Sequence, residues 1–276
     1  MKAVDVHTHP QTEEFLAAMG QRRAQMGSHF GKERRPVSFA AQADLYRERD
    51  MMAVIVNSAG LPELNDALGR AQSAHPDVFL AFCGVDPHDV PGAIAEVRRC
   101  HAEYGARGVG ELNPGRQAFR PNDERLYPLW EVCAELGMPV MFHGGFLGAG
   151  AGTPGGMGYK LEHARPIPYL DDVAADFPEL TVIAAHPAWP WHLDNLAACW
   201  HKANYYIDLS GWAPRYWPAE VTHYANSIIT GRVLFGTDWP VLGPDRWIAE
   251  FEELGFKAES RQRIMLDNAR ELFGLG

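Results

Sequence analysis

Short apolar runs alternate with amphipathic segments along the 276 residues, and this alternation constrains the fold more than any other feature. The apolar runs predict buried strands at residues 3–6, 52–57, 79–85, 106–112, 138–142, 181–185, 205–209 and 233–235. The amphipathic segments predict helices at residues 39–50, 62–75, 91–104, 123–136, 168–177, 191–201, 218–227 and 245–273. Strands that alternate with helices form parallel sheets, and eight strands in this length indicate an α/β fold, a (β/α)8 barrel. We therefore predict a single domain over residues 1–276.

Two stretches depart from the alternation and predict loop insertions, near residues 11–38 and 144–167. The second is too rich in glycine for regular structure and predicts a long loop. The first contains the basic residues Arg22, Arg23, Lys32, Arg34 and Arg35. A long insertion after a first strand is typical of a segment that covers a site, although a solvated surface helix has the same composition.

The composition narrows the choice of partner. With 25 Lys and Arg against 35 Asp and Glu, the formal net charge is −10, which argues against nucleic acid and favours a small molecule. No apolar run reaches the roughly 18 residues of a membrane span, and the chain starts with a strand instead of a leader. The four cysteines are widely spaced, form no CxxC pair and predict buried or half-buried free thiols in a reducing compartment. We expect no membrane contact and a cytoplasmic location.

Polar side chains stand at the predicted carboxyl ends of five strands, and this rim carries the site in barrels of this kind. They are His7, His9, Glu111, His143, His186 and Asp238. Any one histidine in such a place is more often a solvated or hydrogen-bonded loop residue. Several neutral imidazoles with a carboxylate, however, suit a divalent metal, zinc in the first place and manganese as the alternative, with an open position for water or substrate.

Five phrases of the sequence carry a resemblance to a known family: VDVHTHP, FHGG, AAHPAWPW, VLFGTDWP and DNARELFGL. They resemble the amidohydrolase superfamily, and more narrowly its amidohydrolase-related branch, which includes aminocarboxymuconate-semialdehyde decarboxylase and resorcylate-type decarboxylases. The resemblance spans essentially the whole chain. It implies that His7, His9, His143 and Asp238 hold the metal, and that His186 faces the substrate as a general acid or base. Asp238 can also accept or orient the proton of a metal-bound water.

Glu111 leaves the number of metals open. It resembles the strand-four glutamate that bridges two metals in binuclear amidohydrolases, whereas the decarboxylase branch uses a single metal. We therefore treat Glu111 as a tentative ligand of a second metal, and its alternative role is to accept a hydrogen bond from a ligand histidine. Asp5 is interpreted as a structural residue, although strict alternation places it on the same face of the strand as His7 and His9.

Five further side chains are candidates for contact with a planar or aromatic carboxylic acid: Tyr159, Lys160, Arg165, Trp189 and Trp212. Aromatic rings can stack on such a substrate, and cationic groups can pair with its carboxylate. Packing in the fold is the alternative for each of them. The tryptophans can equally form a homodimer interface, where aromatic residues and arginine are enriched.

Three functions fit these observations. The preferred hypothesis is a metal-dependent, non-oxidative decarboxylase of an aromatic or muconate-like carboxylic acid. The alternative is a hydrolase that uses metal-activated water to cleave a lactone, ester, amide or carbon–carbon bond, and Glu111 favours this alternative. The third is a metal-binding or interaction barrel without enzymatic activity, and the presence of both His186 and Asp238 argues against it.

Overall fold

In a computed structural model of the protein, eight parallel strands follow one another around one sheet in sequence order. The structure describes residues 1–31 and 34–276, so Lys32 of the predicted basic insertion lies outside the described residues. The strands are β1 (Ala3–Thr8), β2 (Met51–Val56), β3 (Phe79–Cys83), β4 (Gly108–Leu112), β5 (Val140–His143), β6 (Val182–Ala185), β7 (Tyr205–Asp208) and β8 (Val233–Leu234). The sheet closes where the amide of Val6 donates to the carbonyl of Phe235 at 2.9 Å and Thr8 pairs in parallel with Trp239. The predicted (β/α)8 barrel is confirmed.

Helices connect the strands on the outside of the barrel. They are α1 (Glu13–Ala18), α2 (Gln21–Phe30), α3 (Phe39–Arg47), α4 (Pro62–Ala74), α5 (Val90–Tyr104), α6 (Pro114–Gln117), α7 (Tyr127–Glu135), α8 (Asp171–Asp176), α9 (His192–His201), α10 (Ala219–Ala225), α11 (Pro244–Glu252), α12 (Ala258–Gln262) and α13 (Asn268–Phe273). Within residues 1–31 and 34–276, no helix combines the length and the apolar character that crossing a membrane requires. All four cysteines are free and buried, as predicted.

Two predicted helices are divided in the structure. The segment 245–273 contains α11, α12 and α13, because Gly255 takes a left-handed φ of 68° shortly after α11 and ends that helix. The segment 123–136 starts with a separate 3-10 turn, and α7 follows with Pro128 in its first turn. The first insertion is also more ordered than predicted, since it contains α1 and α2.

Side chains of the strands alternate between the barrel interior and the layer of helices. The interior side chains form a buried cluster that includes Val4, Val6, Val54, Val56, Leu80, Phe82, Met141, Ile183 and Leu234. The C-terminal helix joins this cluster through Leu266, Ala269 and Phe273. Arg107, which directly precedes β4, donates to the carbonyl of Phe273, so α13 covers the amino ends of the strands. The opposite rim, at the carboxyl ends, remains open to a cavity.

The side chain of Gln25 joins the two insertions above that rim. The amide nitrogen of Gln25, on α2, donates to the carbonyl of Ala151 at 3.0 Å and to the carbonyl of Gly148 at 3.3 Å. Its amide oxygen accepts from the Gly150 backbone at 2.9 Å. Because these bonds join the helical first insertion to the glycine-rich second one, the two segments form a common cover over the carboxyl ends of the strands.

Candidate metal centre

The six polar residues predicted at the strand ends lie together in the structure. His7 and Glu111 stand in the last part of β1 and β4, and His143 is the last residue of β5. His9 directly follows β1 and His186 directly follows β6. Asp238 lies in the segment after β8. Each reaches the same place because the carboxyl ends of parallel barrel strands converge on one rim. All six side chains are buried or nearly so.

Glu111 lies at the centre of the four imidazoles. One oxygen, Oε1, is 2.6 Å from Nδ1 of His143 and 3.5 Å from Nε2 of His186. The other, Oε2, is 3.7 Å from Nε2 of His7 and 3.9 Å from Nε2 of His9. A single carboxylate therefore faces one pair of histidines with each oxygen.

Asp238 approaches the pair on the β1 side. Its Oδ1 atom is 2.9 Å from Nε2 of His9 and 4.0 Å from Nε2 of His7. The other pair is held by a direct contact, since Nε2 of His186 is 3.1 Å from Nδ1 of His143. Nε2 of His143 lies 3.0 Å from the carbonyl of Phe146, which fixes the orientation of that ring.

Two residues that the sequence analysis did not single out orient these histidines. Asp208, the last residue of β7, places Oδ2 3.0 Å from Nδ1 of His7. The hydroxyl of Ser210 lies 3.1 Å from the same nitrogen and 2.8 Å from Nδ1 of His186. The signal in the sequence is a carboxylate at the end of an apolar strand, the same signal that identified Glu111.

The orientation of His7 leaves its other nitrogen without a partner. Nε2 of His7 is buried and accepts or donates no hydrogen bond among the residues that the structure describes. A buried polar atom without a partner is unfavourable unless a ligand satisfies it. With Nδ1 engaged by Asp208, Nε2 is the nitrogen that faces Glu111 and Asp238, which is the pattern of a metal-binding histidine held by a carboxylate.

Irregular strand pairing in β1 and in β4 turns side chains of these two strands into the site. The pairing register shifts between Asp5 and Thr8 in β1 and between Val109 and Leu112 in β4. In β4 the shift includes Gly110, whose φ is 135° and whose added Cβ would lie 2.6 Å from the carbonyl of Met141. Only glycine fits there, and the irregularity directs Glu111 toward the centre although Val109 packs outside the barrel.

The register shift in β1 separates Asp5 from the site. Asp5 is fully buried and accepts from the Tyr46 hydroxyl of α3 at 2.7 Å and from the Thr237 hydroxyl at 2.6 Å. Strict alternation, which would place Asp5 beside His7, does not hold across the register shift. Burial raises the pKa of Asp5 to about 6, against the opposing effect of these hydrogen bonds. Asp5 is a structural residue that joins β1, α3 and the segment after β8.

His186 and Asp238 both have left-handed backbone, with φ values of 70° and 59°. Residues other than glycine adopt this conformation at a cost of about 1–3 kcal/mol, and such positions concentrate at functional sites. Gly211 approaches His186 so closely that an added Cβ would lie 2.6 Å from its Nδ1. The chain therefore accepts unfavourable conformations to place these two side chains.

The carboxylates and histidines of the cluster shift one another's pKa. Burial raises the pKa of Glu111 and Asp238, but the neighbouring histidines outweigh this effect and lower both values, that of Glu111 well below its usual range. Burial lowers the pKa of His7, and the Asp208 charge overcomes it and raises that pKa well above the usual value. For His9, burial prevails and the pKa is lowered. Carboxylates that stay ionised in a buried site require a cation beside them.

The donor set fits a divalent metal. Within the described residues, three groups place one ligand atom each within 4.8 Å of one another: His7, His9 and Glu111; His7, His186 and Asp208; and Glu111, His143 and His186. Imidazole nitrogens with carboxylate oxygens are the ligands that zinc and manganese use. The unpartnered Nε2 of His7 and the buried carboxylates are the observations on which this fit depends.

A cavity of about 270 Å³ opens onto the cluster. Its polar floor includes His9, Glu111, His143, His186 and Asp238. Its walls are apolar and aromatic, formed by Phe15, Met19, Met26, Phe146, Leu147 and Trp212. The rings of Phe146 and Trp212 lie edge to face with centroids 6.3 Å apart, so part of the wall is aromatic. This shape suits a planar, carbon-rich ligand with polar groups at its ends.

Three arginines also line the cavity. Arg22 is on α2, Arg34 follows it in the first insertion, and Arg116 is on α6. The first two belong to the insertion that the sequence analysis predicted to cover a site, whereas Arg116 was missed. Burial and, to a smaller extent, the charge of Arg22 lower the pKa of Arg116 to about 10.

The five predicted substrate contacts differ in their placement. Trp212 lines the cavity. Trp189 packs against the Trp212 ring, with centroids 5.9 Å apart, and is 43% exposed. Tyr159 is half-buried and lies near Arg22 and Arg116, where its charge opposes the lowering of their pKa by burial. Lys160 and Arg165 lie outside the cavity lining, and Arg165 pairs with Asp194 at 2.9 Å on the surface. The sequence could not distinguish these positions because the course of the insertion is not encoded in a local period.

Comparison with known proteins covers almost the whole chain. A family model described as Amidohydrolase matches residues 4–275. Gamma-resorcylate decarboxylase of Rhizobium sp. (strain MTP-10005) is 23% identical over 248 residues, covering 76% of this chain and 75% of the relative.

Two solved structures show the same fold. 5-Carboxyvanillate decarboxylase from Novosphingobium aromaticivorans, complexed with manganese and a nitrobenzoic acid, superposes with a TM-score of 0.71 at 18% identity, over 99% of this chain and 96% of the other. A probable 2-pyrone-4,6-dicarboxylic acid hydrolase from Acinetobacter baumannii, with citric acid bound, has a TM-score of 0.70 at 17% identity over 100% of both chains.

Proposed function

The chain belongs to the amidohydrolase family, and from that premise we propose that it is a metal-dependent carboxy-lyase, which removes carbon dioxide from an aromatic or muconate-like carboxylic acid. One observation carries the proposal: three histidines of the cluster, His9, His143 and His186, form with carboxylates the floor of a cavity with aromatic walls. The decarboxylase activity of the Rhizobium relative supports the reaction type. The manganese in the Novosphingobium structure supports a divalent metal.

We propose that His7, His9, His143 and Asp238 hold this metal, with zinc preferred and manganese as the alternative. When bound, the metal would hold the substrate carboxylate and an adjacent oxygen and offset their negative charge. Asp208 and Ser210 hold the imidazole of His7 so that Nε2 faces inward. The metal-binding nitrogen is thereby oriented before any ligand arrives.

The protein side chains supply the proton. Decarboxylation forms a carbon–hydrogen bond at the ring carbon that bears the carboxylate, and then breaks the carbon–carbon bond, whose electron pair returns to the ring as carbon dioxide leaves. His186 lines the cavity with its Nδ1 held by Ser210, and Asp238 lines the same cavity. We assign the proton transfer to His186, with Asp238 as the second group in reach of the substrate. The walls of Phe146 and Trp212 hold the ring and exclude water.

A specific observation favours hydrolysis as the second candidate. Glu111 faces a histidine pair with each of its two oxygens, so this carboxylate would be available to two metals. The hydrolase from Acinetobacter shares the fold. With two metals, the chain would activate water in place of releasing carbon dioxide.

The test combines product analysis with metal content. We expect carbon dioxide release from at least one acid in a panel of hydroxylated benzoic acids and muconate semialdehydes, together with one metal per chain by plasma mass spectrometry. H143A and D238A should lose metal and activity together, whereas H186A should lose activity, by about 100-fold or more, and keep its metal. H201A, which changes an exposed histidine at the end of α9, is the matched control.

The outcomes separate the two candidates. Two metals per chain that fall to one in E111A, with water consumed and no carbon dioxide released, would replace the decarboxylase with the hydrolase. A fully active H186A would contradict the role of His186. The homodimer and the cytoplasmic location stay predictions; the four buried free thiols support a reducing compartment.

A further inference from the structure

We propose that the substrate carries a second carboxylate, held by Arg22, Arg34 and Arg116, so that the protein acts on a dicarboxylic acid. This inference rests on the proposed function, because it takes the first carboxylate to be the one bound at the metal. It specifies the substrate class more narrowly than the aromatic walls do, since those walls suit a monocarboxylic acid equally well.

No carboxylate among residues 1–31 and 34–276 forms a direct ion pair with these three arginines, although the charges of Asp238 and Glu111 act on Arg34 and Arg116. Within the same residues, Arg22 donates only to the backbone carbonyls of Met19 and Ala18, at 3.3 and 3.4 Å. Arg116 donates to the carbonyl of Ser58. Most other arginines of the described chain, such as Arg49 and Arg99, form ion pairs with carboxylates. The guanidinium groups of the cavity therefore keep donors available for a ligand.

These cations gather at one place despite their mutual repulsion. Arg22 and Arg116 are close enough for the charge of one to lower the pKa of the other, and both line the same cavity as Arg34. The backbone carbonyl of Arg34 is held by Arg23 at 2.8 Å, which fixes this part of the insertion against α2. Like charges in a partly desolvated cavity are unfavourable unless an anion binds between them.

The cavity offers two places for a carboxylate. Its polar floor and the three guanidinium groups line the same space. A carboxylate bound at the floor leaves the guanidinium groups without a paired anion, and a second carboxylate on the substrate would pair with them.

The experiment measures binding without turnover. Benzoate, phthalate, isophthalate, terephthalate and trimesate are titrated into the metal-loaded protein by isothermal calorimetry. We expect at least one of the di- or tricarboxylates to bind about tenfold tighter than benzoate, or better. R116Q and R22Q should raise the Kd of that acid by about 10- to 100-fold and change the Kd of benzoate by no more than about twofold.

Two further variants separate charge from structure. R116K keeps a cation and should retain part of the preference for the dicarboxylate, which a loss of local packing would not allow. R98Q removes an exposed arginine whose partner is Glu135 on the surface, and it should bind every acid as the unchanged protein does.

Equal affinity of benzoate and all dicarboxylates, or an equal loss for both classes in R116Q, would overturn the proposal. A protein that prefers dicarboxylates but releases no carbon dioxide from any acid would support the arginine site and contradict the decarboxylase alone.

Discussion

Single residues decide which nitrogen of each histidine faces the centre. Asp208 and Ser210 occupy Nδ1 of His7, and Ser210 also occupies Nδ1 of His186. In both rings Nε2 is then the atom that points toward Glu111. The carboxylate of Asp208 also strengthens the basicity of the imidazole that it contacts, and this increases metal affinity.

D208N should therefore lower metal affinity while the fold is maintained. Replacing the carboxylate by an amide removes the charge that holds Nδ1–H of His7, and we expect an increase of about 10- to 100-fold in the Kd for zinc. Competition with a chromophoric chelator measures this Kd directly. D44N, at an exposed aspartate that pairs with Arg47, is the matched control. An unchanged Kd in D208N would show that Asp208 does not orient a metal ligand.

At the scale of elements, an ion pair joins α11 to the segment between β7 and α10. Glu250 of α11 is buried and accepts from Arg215 at 2.6 Å and from Arg246 at 2.7 Å. Burial opposes ionisation of Glu250, but the hydrogen bonds from these arginines outweigh it and lower the pKa to about 2. Because the pKa is lower in the folded protein than in the unfolded chain, the ionised carboxylate stabilises the fold above the unfolded pKa, near 4.5.

E250Q should lower the free energy of unfolding by about 1–3 kcal/mol at neutral pH, since it leaves the arginines facing a neutral partner. The difference from the unchanged protein should shrink as pH falls from 4.5 toward 2, because Glu250 then loses its charge in both states. Urea denaturation at a series of pH values gives both quantities. E252Q removes an exposed partner of Arg261 and should change stability by less than about 1 kcal/mol. A pH-independent difference for E250Q would refute the electrostatic origin.

At the scale of the whole molecule, the two ends of the barrel have separate roles. The amino ends of the strands are covered by α13, whose Phe273 packs against Phe82 inside the barrel with ring centroids 5.8 Å apart. The carboxyl ends carry the metal centre, the arginines and the two insertions. Conservative changes at the covered end are therefore expected to alter stability without altering the site.

F273A should lower the free energy of unfolding by about 3–5 kcal/mol through the cavity that it leaves in the core. Metal content and the Kd of benzoate should stay the same in the fraction that remains folded. Urea denaturation and plasma mass spectrometry measure these effects. L193A, at a leucine that is 56% exposed, should change stability by no more than about 0.5 kcal/mol. A loss of metal in folded F273A would show that the two ends are coupled.

The sequence by itself determined the barrel and the six polar residues at its rim. Both follow from local patterns: the alternation of apolar runs with helices defines the strands, and a polar residue at the end of such a run is placed at the rim by the parallel arrangement. The burial of the four cysteines followed from the same kind of local evidence.

Only the tertiary structure decided which side chains meet. His7 and Asp208 are 201 residues apart, and no local period links them. The register shifts that turn Glu111 inward and Asp5 outward depend on pairing with neighbouring strands. Arg116 shares a cavity with Arg22, whereas Arg165 turns to Asp194, because the insertions are placed by contacts across the rim. Such contacts form when the barrel closes, and they are therefore properties of the folded chain.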